Sequence, residues 1–316
     1  MDHKKLQNLP VINFGQENLK PGTKGWSSAC NNVRHALEEF GCFLAVYDKI
    51  SLKLRDSIFS SIEKLFGLPI ETKIKNTSDK PFFGYFGQYP DIPLLESLGI
   101  GDSTNVEEIK SFSKLMWPCG NDMNFCGIVN EYANLLSGLE QVVTKMVFES
   151  YGLGKQLCDS HIGCTTHLLR FNSYRVPGLN ETSVGAQPHT DKSFITILDQ
   201  NQVNGLEVKL KDDQWIAVDL LPSSFVVMAG DGLLAWSNNR IIPCHHRVTM
   251  KGNVTRYSIG LFSYHKGIIQ IPQELIDEEN PQCFKPFDHL GFLTFFAKQM
   301  QTGRLSHCMI KAYCGV

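Results

Sequence analysis

From about residue 160 onward the chain breaks into short runs rich in β-branched and aromatic residues, each closed by turn formers. They are TTHLLRFNSY (165–174), SFITILDQ (193–200), GLEVKL (205–210), QWIAVDL (214–220), SFVVMAG (224–230), HHRVTM (245–250) and TRYSIGLFSY (255–264). Strands this short and this regularly spaced predict an antiparallel sandwich or barrel, and a double-stranded β-helix (jelly roll) fits them. KLKDDQW predicts the turn of a hairpin.

The preceding part alternates strand and helix. LPVINF and CFLAVYD predict strands. WSSACNNVRHALEEFG carries a helical stripe of Ala29, Val33, Ala36, Leu37 and Phe40, stopped by Gly41. A second helix opens on Ser51 as a cap and stops at Gly67 and Pro69. KPFFGYFGQYPDIPLLESLG shows no clear period. Long apolar spacing predicts a helix from about Phe125 to Tyr151, and a last helix runs from about Phe287 to Gln301. The expected class is therefore mixed α and β, a jelly-roll core wrapped by helices. Its parts are residues 1–160, helical with short strands, 161–270, the β core, and 271–316, a closing helix at the mouth.

Composition narrows the function. Hydrophobic residues at 42% and charged residues at 20% suit a packed globule rather than a disordered chain. A net charge of -2 gives no basic surface for nucleic acid, so none is expected as a partner. No apolar run reaches membrane-spanning length, and no secretory leader opens the chain, so a cytoplasmic protein without a membrane or obligate protein partner is expected. Ten cysteines without CxxC spacing are expected as reduced thiols, not a zinc frame or a disulfide set.

Within QPHTDKSFITIL, His189 and Asp191 stand two positions apart in what reads as a strand, so they are expected to share a face. A third ligand must come from a distant strand, and PCHHRV offers His245 and His246. Adjacent strand residues face opposite ways, so only one can join, and alternation alone does not choose. Two histidines and one carboxylate make the facial triad of non-haem Fe(II) oxygenases, which leaves positions open for a co-substrate and O2. Arg256 and Ser258 share a strand face as well, and an arginine pointing into a barrel needs an anion. Phe262 continues that face as an apolar wall.

The set His189-x-Asp191, His246-Arg247-Val248 and Arg256-x-Ser258 resembles the plant Fe(II)/2-oxoglutarate-dependent dioxygenases. So do LPVINF, EEFGCF, RFNSY and GLEVKLKDDQWIAV, in order, from about residue 9 to the end. KPFFGYFGQYPDIPLLES, LIDEENPQCFKPFDHLG and AYCGV resemble a specialised-metabolism branch with deoxypodophyllotoxin synthase, glucosinolate side-chain oxygenases and steroidal-alkaloid hydroxylases.

The resemblance implies His189, Asp191 and His246 as ligands of Fe(2+), with His245 outside the set. It implies Arg256 and Ser258 for the distal carboxylate of 2-oxoglutarate, and Asn172 and Tyr174 as its orienting pair. Where the family often has Tyr-Tyr-Pro, this chain has Ser173-Tyr174-Arg175. The implied reaction consumes O2 and 2-oxoglutarate, with ascorbate as supporting reductant. It releases succinate and CO2 and hydroxylates, desaturates or ring-closes a small, largely apolar metabolite. Candidate substrate contacts are Tyr85, Phe86, Phe262, Phe292 and Phe296. The competing readings are an ascorbate-dependent oxidase of the same fold, a zinc hydrolase, which leaves Arg256-x-Ser258 unexplained, and a binding protein without metal.

Overall fold

The computed structural model describes residues 9–15, 19–118, 120, 122–221 and 223–316. In chain order the first half holds β1 (Val11–Asn13), α1 (Lys24–Glu39), β2 (Cys42–Val46), α2 (Leu52–Phe66), α3 (Ile70–Lys73), β3 (Leu95–Gly101), α4 (Val106–Met116) and α5 (Met123–Ser150). There follow α6 (Lys155–Gly163), β4 (Thr165–Tyr174), β5 (Val184–His189), β6 (Ile195–Gln200), β7 (Leu206–Lys209) and β8 (Trp215–Ala217). The last elements used below are β9 (Ser224–Ala229), α7 (Asp231–Trp236), β10 (His246–Thr249), β11 (Arg256–His265), α8 (His289–Gln301) and α9 (Met309–Cys314).

Local chemistry sets the helix ends. Ser51 Oγ accepts from the Leu54 N–H at 3.2 Å, a cap of the kind that contributes about 1 kcal/mol. Gly41 takes φ +69° just beyond α1, where a Cβ would lie 2.8 Å from the Ile242 carbonyl oxygen. The aperiodic aromatic stretch hides β3, whose Gly99 lets the Phe83 backbone lie against it: a Cβ there would sit 2.3 Å from the Phe83 oxygen. Gly230 caps the short helix α7, which Asp231 and Gly232 open.

Two sheets form the core. The major sheet runs β1-β2-β9-β6-β11-β4-β3 and the minor sheet β5-β10-β7-β8. Strands β1 to β3 come from before residue 160, so the sheet itself is continuous across that point in the sequence. The expected hairpin joins β7 to β8, with Asp213 at φ 65° in the turn. Alternation gives the major sheet two different faces. On the outer face Phe171, Ile259, Ile197 and Val227 join one large cluster with α1, α2 and α5. On the inner face the register sets Tyr174 beside Arg256, Asn172 beside Ser258 and Arg170 beside Gly260. Gln200 pairs Ser258 from the other side.

The outer face is pinned by a buried polar knot. Arg55 of α2 donates to Asp199 of β6 at 3.1 Å, and the Tyr132 hydroxyl of α5 donates to the same carboxylate at 2.7 Å. Arg55 is 7% exposed and Asp199 fully buried, so each charge depends on the other.

Candidate active site

The minor sheet brings the two histidines together. His246 of β10 stands directly across from His189 of β5, with ring centroids 4.2 Å apart. Asp191 lies just past the end of β5, in the link to β6, rather than in the strand that alternation suggested. It still meets the pair: its Oδ1 is 3.7 Å from His189 Nε2 and 3.8 Å from His246 Nε2. Ligand atoms of the three lie within 4.8 Å of one another. His245 points away, toward the Trp215 ring at 6.1 Å.

Backbone carbonyls orient both rings. His189 Nδ1 donates to the Gln187 oxygen at 2.7 Å and His246 Nδ1 to the Cys244 oxygen at 3.1 Å. Each Nε2 is then left as the lone-pair nitrogen, the arrangement usual for a metal ligand. Desolvation of the ring, then the neighbouring His246, pushes the His189 pKa down to about 4, although 45% of its side chain remains exposed. The ring is neutral at physiological pH, as ligation requires. Asp191 Oδ2 is buried and has no hydrogen-bond partner.

The loop carrying Asp191 is clamped from behind. Lys192 Nζ donates to Thr190 O at 2.8 Å and to Asp231 Oδ2 at 2.7 Å. The Asp231 N–H donates to the Asp191 carbonyl at 2.8 Å. His289 of α8 donates from Nε2 to the Lys192 carbonyl at 2.8 Å. The three that involve Asp231 and His289 do not follow from periodicity, because they join segments 39 to 97 residues apart.

Across the cleft, Arg256 is fully buried on the inner face of β11. Its Nε and Nη2 donate to Gln200 Oε1 at 3.2 and 2.8 Å, and its guanidinium lies 4.9 Å from the Tyr174 ring centre. Its Nη1 has no partner. Asn172 Nδ2 donates to Ser258 Oγ at 3.3 Å. A buried guanidinium with only neutral neighbours is costly unless an anion joins it. Asp191 Oδ2 and Arg256 Nη1 are two of four such partnerless buried atoms among the described residues. One calls for a cation and the other for an anion, so the residues fit Fe(II) and 2-oxoglutarate.

Gln200 was absent from the sequence-based set, although alternation from Leu198 would have placed it on the inner face beside Ser258. The aromatic candidates separate. Phe262 and Phe82 pack with the Phe83, Leu168, Tyr264 and Leu293 cluster. Phe296 meets Phe82, centroids 5.6 Å apart, and lies under Lys192 Nζ at 4.8 Å, one residue from Asp191. Phe86 stacks on Tyr89 at 4.6 Å and bridges to Ser97. Phe292 is fully buried against Tyr313 of α9, 5.6 Å away. The Tyr85 hydroxyl donates to Glu96 at 2.7 Å, and its ring packs on the helix-side cluster. Phe292 is thus core packing, and the partly buried Tyr85 lies against the helix-side cluster.

Residues 165–265 match the 2OG-Fe(II) oxygenase superfamily, and residues 9–94 match the non-haem dioxygenase N-terminal region named for morphine synthesis. The chain is 42% identical to the probable 2-oxoglutarate-dependent dioxygenase AOP1 of Arabidopsis thaliana, over 96% of this chain and 95% of that one. The crystal structure of a dioxygenase for auxin oxidation in rice superposes with a TM-score of 0.82 at 27% identity, covering 98% of this chain and 100% of that one. The Arabidopsis thaliana auxin-oxidation dioxygenase in its 2-oxoglutarate complex gives 0.77 at 27% identity, over 87% and 100%. With the jelly-roll core, the His-Asp-His cluster and these relatives together, the chain belongs to the 2OG-Fe(II) oxygenase superfamily, as a 2-oxoglutarate-dependent dioxygenase of the plant type.

Proposed function

We propose that His189, Asp191 and His246 hold the ferrous ion and that Arg256 and Ser258, with Asn172 and Tyr174, hold 2-oxoglutarate. The observation that carries this reading is the pair of partnerless buried atoms, Asp191 Oδ2 and Arg256 Nη1. Residues 161–270 are then the catalytic core, 1–160 its scaffold and 271–316 its cap.

When bound, Fe(II) supplies the activation of O2, coupling oxidative loss of CO2 from 2-oxoglutarate to oxidation of a substrate C–H bond. The chain's own groups aim and shield that chemistry. The Gln187 and Cys244 carbonyls fix the two imidazole planes. Asp231 and His289 fix the Asp191 loop. Gln200 holds the Arg256 fork toward the place of the co-substrate carboxylate.

The substrate is a mid-sized metabolite with a largely apolar body, lying against Phe82, Phe262 and Phe296, with Phe86 farther along the same rim. Tyr85 and Phe292 do not enter this reading, since Glu96 and Tyr313 hold them elsewhere. The nine described cysteines are all free, which favours a reducing, cytoplasmic setting. Among the described residues no helix is long and apolar enough to cross a membrane.

The test is incubation of the purified protein with Fe(II), 2-oxoglutarate, ascorbate and a plant metabolite extract under O2. Succinate and one consumed metabolite are expected to change in step. Turnover that persists under nitrogen or without 2-oxoglutarate would contradict the reading.

A further inference from the structure

The inner face of the major sheet carries a second arginine. Arg170 sits on β4, two residues before Asn172, and so faces the same cleft. Gly99 of β3 and Gly260 of β11 are its neighbours across the sheet; the Phe262 ring lies over Gly260, 2.6 Å from where a Cβ would sit, and the Phe83 carbonyl lies over Gly99, so an apolar ring and a backbone flank the guanidinium and no carboxylate does. All its partners are neutral. Nε and Nη2 donate to Ser97 Oγ at 3.0 and 2.8 Å, and Nη1 donates to the Phe82 carbonyl. Three of the five N–H donors of a guanidinium are thereby engaged, which leaves two. No described carboxylate lies within 4.0 Å of it. Burial lowers its pKa to about 10, so it is still cationic at neutral pH.

Other buried or partly buried cations in the molecule do not behave this way. Lys73 meets Glu96 at 2.8 Å, Lys192 meets Asp231 at 2.7 Å and Arg247 meets Glu207 at 2.7 Å. Arg170 shares its lack of a carboxylate with Arg256, whose anion is the co-substrate in the reading above.

Its surroundings are also arranged toward the metal cluster. Phe82, whose carbonyl accepts from Arg170, has φ 66°, a left-handed conformation that a bulky residue rarely adopts. The Phe82 ring meets Phe296, and Phe296 lies under Lys192, which follows Asp191. Tyr264 lies within electrostatic reach of both Asp191 and Arg170. One aromatic wall thus runs from Arg170 toward the His-Asp-His cluster.

We infer that Arg170 is an anion-binding residue of the substrate cleft, so that the oxidised metabolite carries a carboxylate or sulfate on its apolar body. This rests on the site assignment proposed above and adds the charge of the substrate to it. An anion on Arg170 would fix one end of the substrate and lay the rest along Phe82 and Phe296 toward the metal. A fork matching two oxygens also selects orientation, which a purely apolar wall does not.

The test uses the Mn(II)- and 2-oxoglutarate-loaded protein without O2, so that binding is read apart from turnover. Matched probes are 3-phenylpropionate, 2-phenylethyl sulfate and the neutral 3-phenylpropionamide, followed by ligand-detected NMR titration. An anion is expected to bind roughly 10- to 150-fold more tightly than the amide, the range for one hydrogen bond to a charged group. The better of the two anions identifies the group. Arg170→Gln should erase that preference while the 2-oxoglutarate affinity stays within about twofold, and Arg170→Lys should restore part of it. Equal binding of acid, sulfate and amide to the wild type, or a preference that survives Arg170→Gln, would overturn the proposal. So would a selective loss of 2-oxoglutarate affinity in Arg170→Gln, which would assign the residue to the co-substrate. Failure of the wild type to split 2-oxoglutarate with Fe(II) would strike instead at the site assignment, because the probe comparison needs no turnover.

Discussion

On the helix-facing side of the major sheet, Arg55 meets Asp199 at 3.1 Å and Tyr132 completes the carboxylate, while His167 meets Glu140 at 3.3 Å. On the inner side, Arg256 meets only the amide oxygen of Gln200, Arg170 only a hydroxyl and a carbonyl, and Asp191 Oδ2 nothing. The strands are the same; β6 carries Asp199 outward and Gln200 inward, one residue apart. The outer polar groups answer one another within the chain and so serve stability. The inner ones find no charged partner within the chain, which is the pattern that the proposed iron and 2-oxoglutarate sites require.

Substitutions on the two sides should therefore fail in opposite ways. The largest effect on activity is expected at the metal cluster. His189→Ala, Asp191→Ala or His246→Ala should each reduce succinate formation to background while leaving the fold intact, whereas His245→Ala keeps its iron. Iron stoichiometry after gel filtration reads this directly. Loss of iron in His245→Ala with retention in His246→Ala would reverse the strand register.

On the outer face, Asp199→Ala leaves Arg55 charged and buried with only the Gln200 backbone carbonyl and no carboxylate. A loss of about 3–5 kcal/mol in denaturant unfolding is expected, with the folded fraction still splitting 2-oxoglutarate. An equally destabilising Arg256→Ala would erase the contrast between the faces. Instead, Arg256→Ala should raise the 2-oxoglutarate requirement roughly 10- to 150-fold, from about 1.5–3 kcal/mol, with little loss of stability in the ligand-free protein. Lysine at 256 should rescue only in part, since it lacks the planar fork.

A smaller effect concerns pH. Burial pushes His161 down to about 3 and His289 down to about 4, from an ordinary value near 6.5. Both stay neutral in the fold while the unfolded chain takes up protons below about 6.5. Their contribution is complete above that value and falls as pH drops toward the folded values. The thermal midpoint should decline between about pH 6.5 and 4, and His161→Phe, in a site lined by Phe148 and Phe194, should flatten that slope. An unchanged slope would mean that other groups govern acid sensitivity.

Much of the site could be read from local pattern. Arg256, Ser258 and Asn172 fall on one face because strand periodicity is strict, and His246 was separated from His245 by its resemblance to family sequence rather than by alternation. What escaped was non-local or irregular. Asp191 sits beyond the strand end, where period two no longer applies, yet the Asp231 N–H and the clamped Lys192 return it to the cluster. The edge strand β3 was obscured by Gly and Pro in the stretch before it, and its Gly99 serves backbone contact rather than flexibility. Phe292 and Tyr85 show that apolar character on a mouth-forming segment does not say which side faces the cleft. Arg170 was legible in principle, two residues before Asn172, but an arginine in a strand has no meaning until its partners are known to be neutral.

The difference between the two faces can be measured in one titration: anaerobic unfolding of the protein with and without Fe(II) and 2-oxoglutarate. Ligands that complete the inner face should stabilise the wild type by about 2.7 kcal/mol at a hundredfold excess over Kd. The gain should persist in Asp199→Asn, lose its 2-oxoglutarate part in Arg256→Ala, and vanish in Asp191→Ala. A wild type that gains nothing, or a gain that Asp191→Ala and Arg256→Ala both retain, would contradict the claim that these groups are completed by iron and 2-oxoglutarate.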